Sequence, residues 1–287
     1  MKAELRTELE RALGGTIERS SSVSGGDIND AYAVEIGSRR VFVKANARSP
    51  AGMFAAEARG LEWLRAASAL RVPEVLAVSS GTEGPQYLVL EWLEPARPAA
   101  DFDERLGRGL AALHRSGSSH FGLDHDNFIG SLPQVNAPAP SWSQFFRTRR
   151  LEPQLQRLAA AGRASFSLRR GFERLLERLH ELVGDDEPPA RLHGDLWGGN
   201  LHLDDRGEPC LIDPAAYGGH REVDLAMMRL FGGFSERVFS AYAEAYALSP
   251  AARERVPLYQ LYPLLVHANL FGGSYVGSVE RVVAMYA

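Results

Sequence analysis

One stretch of the chain spaces acids, an amide and glycines as chemistry would need them. It runs Arg191-Leu192-His193-Gly194-Asp195-Leu196-Trp197-Gly198-Gly199-Asn200-Leu201-His202-Leu203. A charged turn, Asp204-Asp205-Arg206-Gly207, leads on to Pro209-Cys210-Leu211-Ile212-Asp213-Pro214. The apolar Leu201, Leu203, Leu211 and Ile212 flank that turn, which predicts a hairpin. Asp195 and Asn200 then lie on the loop entering the hairpin, and Asp213 on the strand leaving it. Two carboxylates and an amide oxygen suit a hard cation such as magnesium.

The spacing narrows the chemistry. Asn200 follows Asp195 by five positions and Asp213 follows it by eighteen. Protein kinases place a catalytic Asp, an Asn and a metal-binding Asp in this order, the Asn five after the first Asp. Here Gly194 stands in place of their Arg, and Asp213-Pro214-Ala215 in place of Asp-Phe-Gly. Both departures point to the small-molecule branch of that fold. The bland alternative, a Gly-rich surface hairpin with ordinary turn aspartates, needs five positions to agree by accident.

A phosphate handler is expected upstream. In Arg40-Val41-Phe42-Val43-Lys44-Ala45 the alternation puts Lys44 on the face opposite Val43 and Ala45, where an exposed lysine is the usual reading. A helix is predicted from Ser49-Pro50 through Ala67, with Pro50 in its first turn. Met53, Glu57, Leu61 and Leu64 share one stripe of it. An acid on an apolar face is costly unless paired, and a lysine from the preceding strand would satisfy Glu57. Gly25-Gly26 separates two expected strands, Ile17 to Ser24 and Ala31 to Ile36. Such a pair can bring N–H groups close to phosphate, although a plain turn is the ordinary explanation.

The positioning elements follow in order. Leu5, Leu9 and Leu13 mark a helix ending at Gly14-Gly15. Val72 to Val78 and Gln86 to Leu93 read as strands, the second running into Glu94-Pro95-Ala96-Arg97-Pro98. That linker is the expected boundary between units 1–93 and 94–287. A nucleotide base would bind backbone groups there, with Glu91 and Leu93 candidates by position. Beyond it the pattern is helical: Phe102 to Arg115 carries Leu106, Leu110 and Leu113 on one face, and Ser167 to Val183 is a second long helix. His120, Asp124, His125 and Asp126 fit no usual zinc spacing and are expected in a loop or in packing. Trp142 to Phe146 is expected core. Asp224 near a helix N-terminus has a capping explanation.

Composition excludes other classes. The chain has 287 residues, 45% hydrophobic and 24% charged, with a net charge of −4. No basic footprint favours nucleic acid, and no apolar run is long enough for a membrane span. The charged start lacks a signal-peptide core, and the single cysteine, Cys210, permits no internal disulfide. The cytoplasm is the expected compartment.

Taken together, the sequence resembles the fructosamine (ketosamine) kinase family, relatives of the aminoglycoside phosphotransferases. Three segments carry the resemblance: His193 to Asn200, Ile212 to Ala226 with its Gly219-His220-Arg221-Glu222 segment, and Asp126-Asn127-Phe128-Ile129-Gly130. The resemblance implies an α+β, protein-kinase-like fold with a small β-rich N-lobe holding one key helix and a larger, mainly helical C-lobe. It implies ATP and Mg2+, and transfer of the γ-phosphoryl to a sugar hydroxyl, typically O3, of a ketosamine on a small amine or a glycated protein. Asp195 becomes the base and Asn200 and Asp213 the magnesium ligands. Lys44, steadied by Glu57, takes the phosphates under a loop formed by Gly25 and Gly26. Trp197, His220 and Arg221 fall to the substrate, and His193 and Asp224 to support. Some relatives carry a cysteine in the glycine loop; Gly25-Gly26-Asp27-Ile28-Asn29 offers none. A monomer or weak homodimer is expected. The alternatives are a kinase of another small alcohol (aminoglycoside, choline or homoserine) and a non-catalytic nucleotide-binding scaffold.

Overall fold

The computed structural model describes residues 1–23, 29–79 and 84–286. Gly25 and Gly26 lie outside them. Helix α1 (Ala3–Leu13) ends on Gly14 in the left-handed conformation, as its sequence predicts. Strands β1 (Ile17–Ser22), β2 (Asp30–Ile36) and β3 (Arg39–Ala45) follow, then α2 (Met53–Arg65), β4 (Val75–Val78) and β5 (Tyr87–Glu91). The five strands form one antiparallel sheet in the order β1-β2-β3-β5-β4.

Period-2 alternation sorts this sheet into two faces. Val41, Val43 and Ala45 of β3 and Tyr87 and Val89 of β5 pack with Leu5 and Leu9 of α1. Leu88 and Leu90 pack on the other face with Phe54, Leu61 and Leu64 of α2. Lys44 pairs with Leu88 and so shares the face that α2 covers. It is 7% exposed, so the usual expectation of a solvated strand lysine does not hold.

Helix α2 starts at Met53, later than Ser49-Pro50 predicts. Gly52 takes φ 77° just before it, a value that favours glycine, and the chain turns there instead of joining the helix. The strands predicted at Val72 and Gln86 are shorter than expected, and Leu93 lies beyond β5.

Past an extended segment come α3 (Phe102–Arg115), the hairpin β6 (Asn127–Ile129) and β7 (Leu132–Gln134), and α4 (Trp142–Phe145). A π-helical turn, Phe146–Leu151, leads into α5 (Glu152–Ala160), followed by α6 (Phe166–Glu177) and α7 (Leu179–Leu182). The single helix predicted from Ser167 to Val183 is thus broken, at Arg178, whose φ of −101° and ψ of 4° leave the helical range. Next are β8 (Ala190–Leu192), β9 (Leu201–Leu203), β10 (Pro209–Leu211) and β11 (Tyr217–Gly219). The pairs β9–β10 and β8–β11 make two small antiparallel ladders around the chemistry-bearing loop. Helices α8 (Glu222–Phe231), α9 (Glu236–Ala245), α10 (Ala252–Phe271) and α11 (Ser274–Tyr286) complete the chain.

One further core, and an extension of the core under α2, hold these parts. Trp142, Phe145 and Phe146 are buried with Phe172, Tyr217, Tyr259 and Tyr262. The core under α2 continues into Leu110, Leu113, Leu211, Leu225 and Tyr242, so the sheet and the helical part share one apolar seam. No helix among the described residues is long and apolar enough to cross a membrane.

Candidate active site

The loop between β8 and β9 is shaped by its glycines and braced from behind. Gly194 has φ 82°, and a Cβ there would stand 2.1 Å from the Ala215 carbonyl oxygen. Only glycine fits that approach, which explains why no arginine stands before Asp195. The brace is Asp224 in the first turn of α8, fully buried. Its carboxylate accepts the main-chain N–H of His193 (2.8 Å) and of Gly194 (2.9 Å), and lies 3.2 Å from His114 Nε2. His114 Nδ1 in turn meets the Tyr242 hydroxyl at 2.8 Å. These bonds hold Asp224 ionised, its pKa below the usual carboxylate range although burial opposes this. Asp224 is therefore a loop brace and not a helix cap, since its carboxylate bonds to the loop and His114 and not to the N–H groups of α8.

His193 is buried beside it. Its Nε2 lies 2.9 Å from the Ile212 carbonyl and its Nδ1 accepts the Asp195 N–H at 3.3 Å, which fixes a neutral ring with the proton on Nε2. Burial lowers its pKa. The ring so links the strand before Asp195 to the strand before Asp213.

Asp195, Asn200, Asp213, Lys44 and Glu57 come together across 169 residues of sequence separation. Lys44 Nζ donates to Glu57 Oε1 and to Asp213 Oδ1, both at 2.8 Å. Burial works against the ammonium, but the two carboxylates outweigh it and raise its pKa above the ordinary lysine value. Asn200 Nδ2 donates to the Asp195 main-chain oxygen (2.8 Å) and to Asp195 Oδ2 (3.2 Å). Burial pushes the Asp195 carboxyl up to about 7, against that Asn200 bond and with the charges of Asp213 and Asp224 adding to it. A carboxyl titrating near neutrality is matched to proton transfer at ordinary pH.

Asp213 adopts φ 55°, one of two non-glycine residues in the left-handed region among the described residues. Strain of this kind persists where the surroundings enforce it. Here Ala215 N–H donates to the His193 carbonyl at 3.0 Å, Asn127 Nδ2 to the Ala216 carbonyl at 2.8 Å, and Gln134 Nε2 to the Ala215 carbonyl at 3.1 Å. The β6–β7 hairpin is thus the clamp on the segment after Asp213. Asn136 continues it to Arg150, which is fully buried over the Tyr217 ring at 3.9 Å.

The donor set fits a hard cation. No protein donor among the described residues takes Asn200 Oδ1 or Asp213 Oδ2, and both are hard oxygen atoms. Trp197 is 41% exposed, its ring folded back over Gly199, and it meets Phe231 edge-on at 6.4 Å. The strip continues through His267 (4.7 Å from Phe231) to Phe271 and Tyr275. Glu91 turns its carboxylate to Arg71 and to the Glu74 N–H (2.7 Å), and its own N–H donates to the Glu74 carbonyl at 3.0 Å.

His220 and Arg221 require a correction. Both were expected at the substrate, yet they are 2% and 4% exposed. Arg221 donates to both Glu187 oxygens (2.6 and 2.7 Å) and to the Tyr246 and Ala247 carbonyls. His220 stacks on Tyr259 at 5.3 Å. Their role is to anchor the N-terminus of α8, and so Asp224. Burial lowers the His220 pKa to about 4, against the attraction of Glu187. Above its ordinary value of 6.5 the ring is neutral in both folded and unfolded chains. Below that value the unfolded chain takes a proton that the folded one refuses, so stability should fall between pH 6.5 and about 4. The expected loss is on the order of 3 kcal/mol. Thermal unfolding against pH checks it: His220→Asn should flatten the slope in that window, and an unchanged slope would locate the acid lability elsewhere.

His120, Asp124, His125 and Asp126 do not converge on a ligand. His120 meets Ser119, His125 meets Asp124, and Asp126 accepts the Asn136 N–H. Cys210 is buried with its thiol raised to about 12, an unreactive group.

Similarity to known proteins agrees with this geometry. The fructosamine kinase family model matches residues 1–286. The chain belongs to the fructosamine kinase family. A Synechocystis sp. protein named "Probable ketoamine kinase" is 42% identical over 269 residues, covering 93% of this chain and 90% of that one. The chloroplastic protein-ribulosamine 3-kinase of Oryza sativa subsp. japonica is 36% identical, covering 93% and 78%. A crystal structure described as a candidate fructosamine-3-kinase of Thermobifida fusca YX-ER1 superposes with a TM-score of 0.89 at 38% identity, over 99% of this chain and 98% of that one. An aminoglycoside phosphotransferase, APH(4)-Ia, solved with ADP and hygromycin B, has a TM-score of 0.67 at 19% identity and covers 99% of each chain. That likeness shows the shared kinase-like fold. This family member is thus built as an ATP-dependent phosphotransferase.

Proposed function

We propose that this fructosamine kinase family member transfers the γ-phosphoryl of ATP to a sugar hydroxyl, the one on C3, of a ketosamine. The observation that carries the reading is Lys44, held between Glu57 and Asp213 in the same cluster as Asp195 and Asn200. In this reading residues 1–93 form a nucleotide lobe and 94–287 a catalytic and acceptor lobe. Asp195 takes the proton of the attacking hydroxyl as its oxygen bonds to the γ-phosphorus and the bond to the ADP oxygen breaks. Lys44 neutralises phosphate charge, and Glu57 keeps it from swinging fully onto Asp213. Asn200 and Asp213 would hold magnesium, which supplies charge neutralisation for the phosphates. Transfer through a loose transition state asks mainly for such positioning and neutralisation.

The acceptor side is the exposed aromatic strip. Trp197, two residues from Asp195, presents a flat face to the sugar, and Phe231 and Phe271 extend that wall toward the amine. A protonated amine over an aromatic face gains about 0.5–2 kcal/mol.

The test is ATP- and magnesium-dependent phosphorylation of fructosyl-, ribulosyl- and erythrulosyl-amines beside an aminoglycoside, choline and homoserine. Turnover confined to the ketosamines is expected. Turnover of another alcohol alone would keep the phosphate chemistry and reject the acceptor. No turnover with nucleotide still bound would reject the kinase reading.

A further inference from the structure

The mechanism above uses Lys44 and Glu57 but leaves open what fixes α2, the helix that carries Glu57. Arg191 sits on β8, two residues before His193 and four before Asp195. Its guanidinium lies 4.6 Å above the Trp63 ring, donates from Nη1 to the Trp63 carbonyl, and donates from Nε to the Gly117 carbonyl at 3.4 Å.

The Trp63 carbonyl is a specific target. At the end of α2 the N–H of Ala66 bonds to Glu62, that of Ala67 to Leu64 and that of Ser68 to Arg65. The backbone skips Trp63, and Arg191 takes the carbonyl that the helix end leaves open. A cation is also favoured there by the helix dipole. Among the described residues no carboxylate forms an ion pair with Arg191, so its charge is set for the helix end and the indole face. The contact borders an open cleft of 460 Å³ lined by Trp63, Ser118, His120 and Arg191, so packing does not enforce it from that side.

Helix α2 has a second footing. Gly60 packs against Pro214 and Ala216, a Cβ there lying 3.6 Å from each side chain. The helix is thereby tied to the segments adjoining both aspartates: to β8 ahead of Asp195 and to the chain just after Asp213.

We propose that Arg191 is a positioning residue for phosphoryl transfer, clamping the C-terminal end of α2 to the strand that carries Asp195. Through α2 it holds Glu57, and through Glu57 the aim of Lys44. This rests on the reading that Lys44 and Glu57 serve the nucleotide phosphates. Trp63 lies about 9 Å from Glu57 along the helix axis, so a loose far end lets the rod pivot about Gly60. Small displacements of this kind are costly to a reaction that depends on alignment.

Steady-state kinetics on Arg191→Met, Arg191→Lys, Glu57→Gln and the Arg191→Met/Glu57→Gln double variant, beside thermal unfolding, test the clamp. Arg191→Met should lower kcat/KM for ATP about 10-fold, with the acceptor KM unmoved. Arg191→Lys should recover part of the loss, since an ammonium can still reach the carbonyl. In the Glu57→Gln background the arginine substitution should add little, because both act through one lysine. Trp63→Leu, which removes the ring under the guanidinium, should show the same pattern at smaller size and serves if Arg191→Met folds poorly. Independent, multiplying losses in the double variant would overturn the clamp alone. An unimpaired Glu57→Gln would overturn the Lys44–Glu57 reading with it.

Discussion

Replacing Asp195 by alanine should lower turnover at least ~10²-fold and leave the fold standing. Among the described residues the Asp195 carboxylate accepts one protein hydrogen bond, from Asn200 Nδ2 at 3.2 Å. Asn200 keeps its shorter bond to the main-chain oxygen of residue 195, which alanine retains. The loop itself hangs from Asp224 and His193, neither of which touches the carboxylate being removed. Losing a carboxyl that burial and two neighbouring acids disfavour should leave the melting temperature unchanged or higher. The paired readings are kcat and thermal unfolding. Turnover close to that of the unaltered chain would remove Asp195 from the mechanism, and a collapsed melting temperature would make it a structural residue.

Lys44→Met is expected to strike both activity and stability, and a second substitution separates them. Without the ammonium, Glu57 and Asp213 face each other across the space it filled, and Glu57 is only 11% exposed. Breaking a buried pair by removing one member typically costs about 3–5 kcal/mol. Activity should fall ~10²–10³-fold in kcat/KM for ATP, the scale on which a lost donor to a developing charge is felt. Lys44→Met/Glu57→Gln removes the stranded charge, so unfolding should return toward that of the unaltered protein while kcat/KM stays low. Recovery of both together would show that the lysine serves the fold and not the phosphates.

The residues with the clearest legibility in sequence were those that break a local pattern. Glu57 is an acid on an apolar stripe and Lys44 a cation in an apolar strand, and each anomaly pointed to the other. His114 breaks the stripe of α3 in the same way, four residues after Leu110, and could have been read as a buried partner; it braces Asp224. Arg150 and Arg191 gave no such signal, because arginines recur throughout these helices and loops and the meaning of these two depends on which carbonyls and rings surround them. His220 and Arg221 misled for a related reason. A polar loop beside a catalytic segment has the composition of a substrate contact, and only the tertiary fold shows Glu187 and Tyr259 waiting for them. The helix end at Gly14 was legible, the start at Met53 was missed because Pro50 drew the prediction ahead of Gly52, and the break at Arg178 has no marking residue.

The brace from Asp224 also sets an order of assembly. Asp195 is synthesised 29 residues ahead of Asp224, whose carboxylate grips the N–H groups of the two residues before Asp195. Until α8 has formed and docked, a growing chain holds the His193–Asn200 sequence but not the bonds that shape it. Domains fold as units during synthesis, N-terminal parts first. A chain ended before residue 224 therefore lacks the carboxylate that holds the N–H groups of His193 and Gly194, and with it the shape of the loop around Asp195.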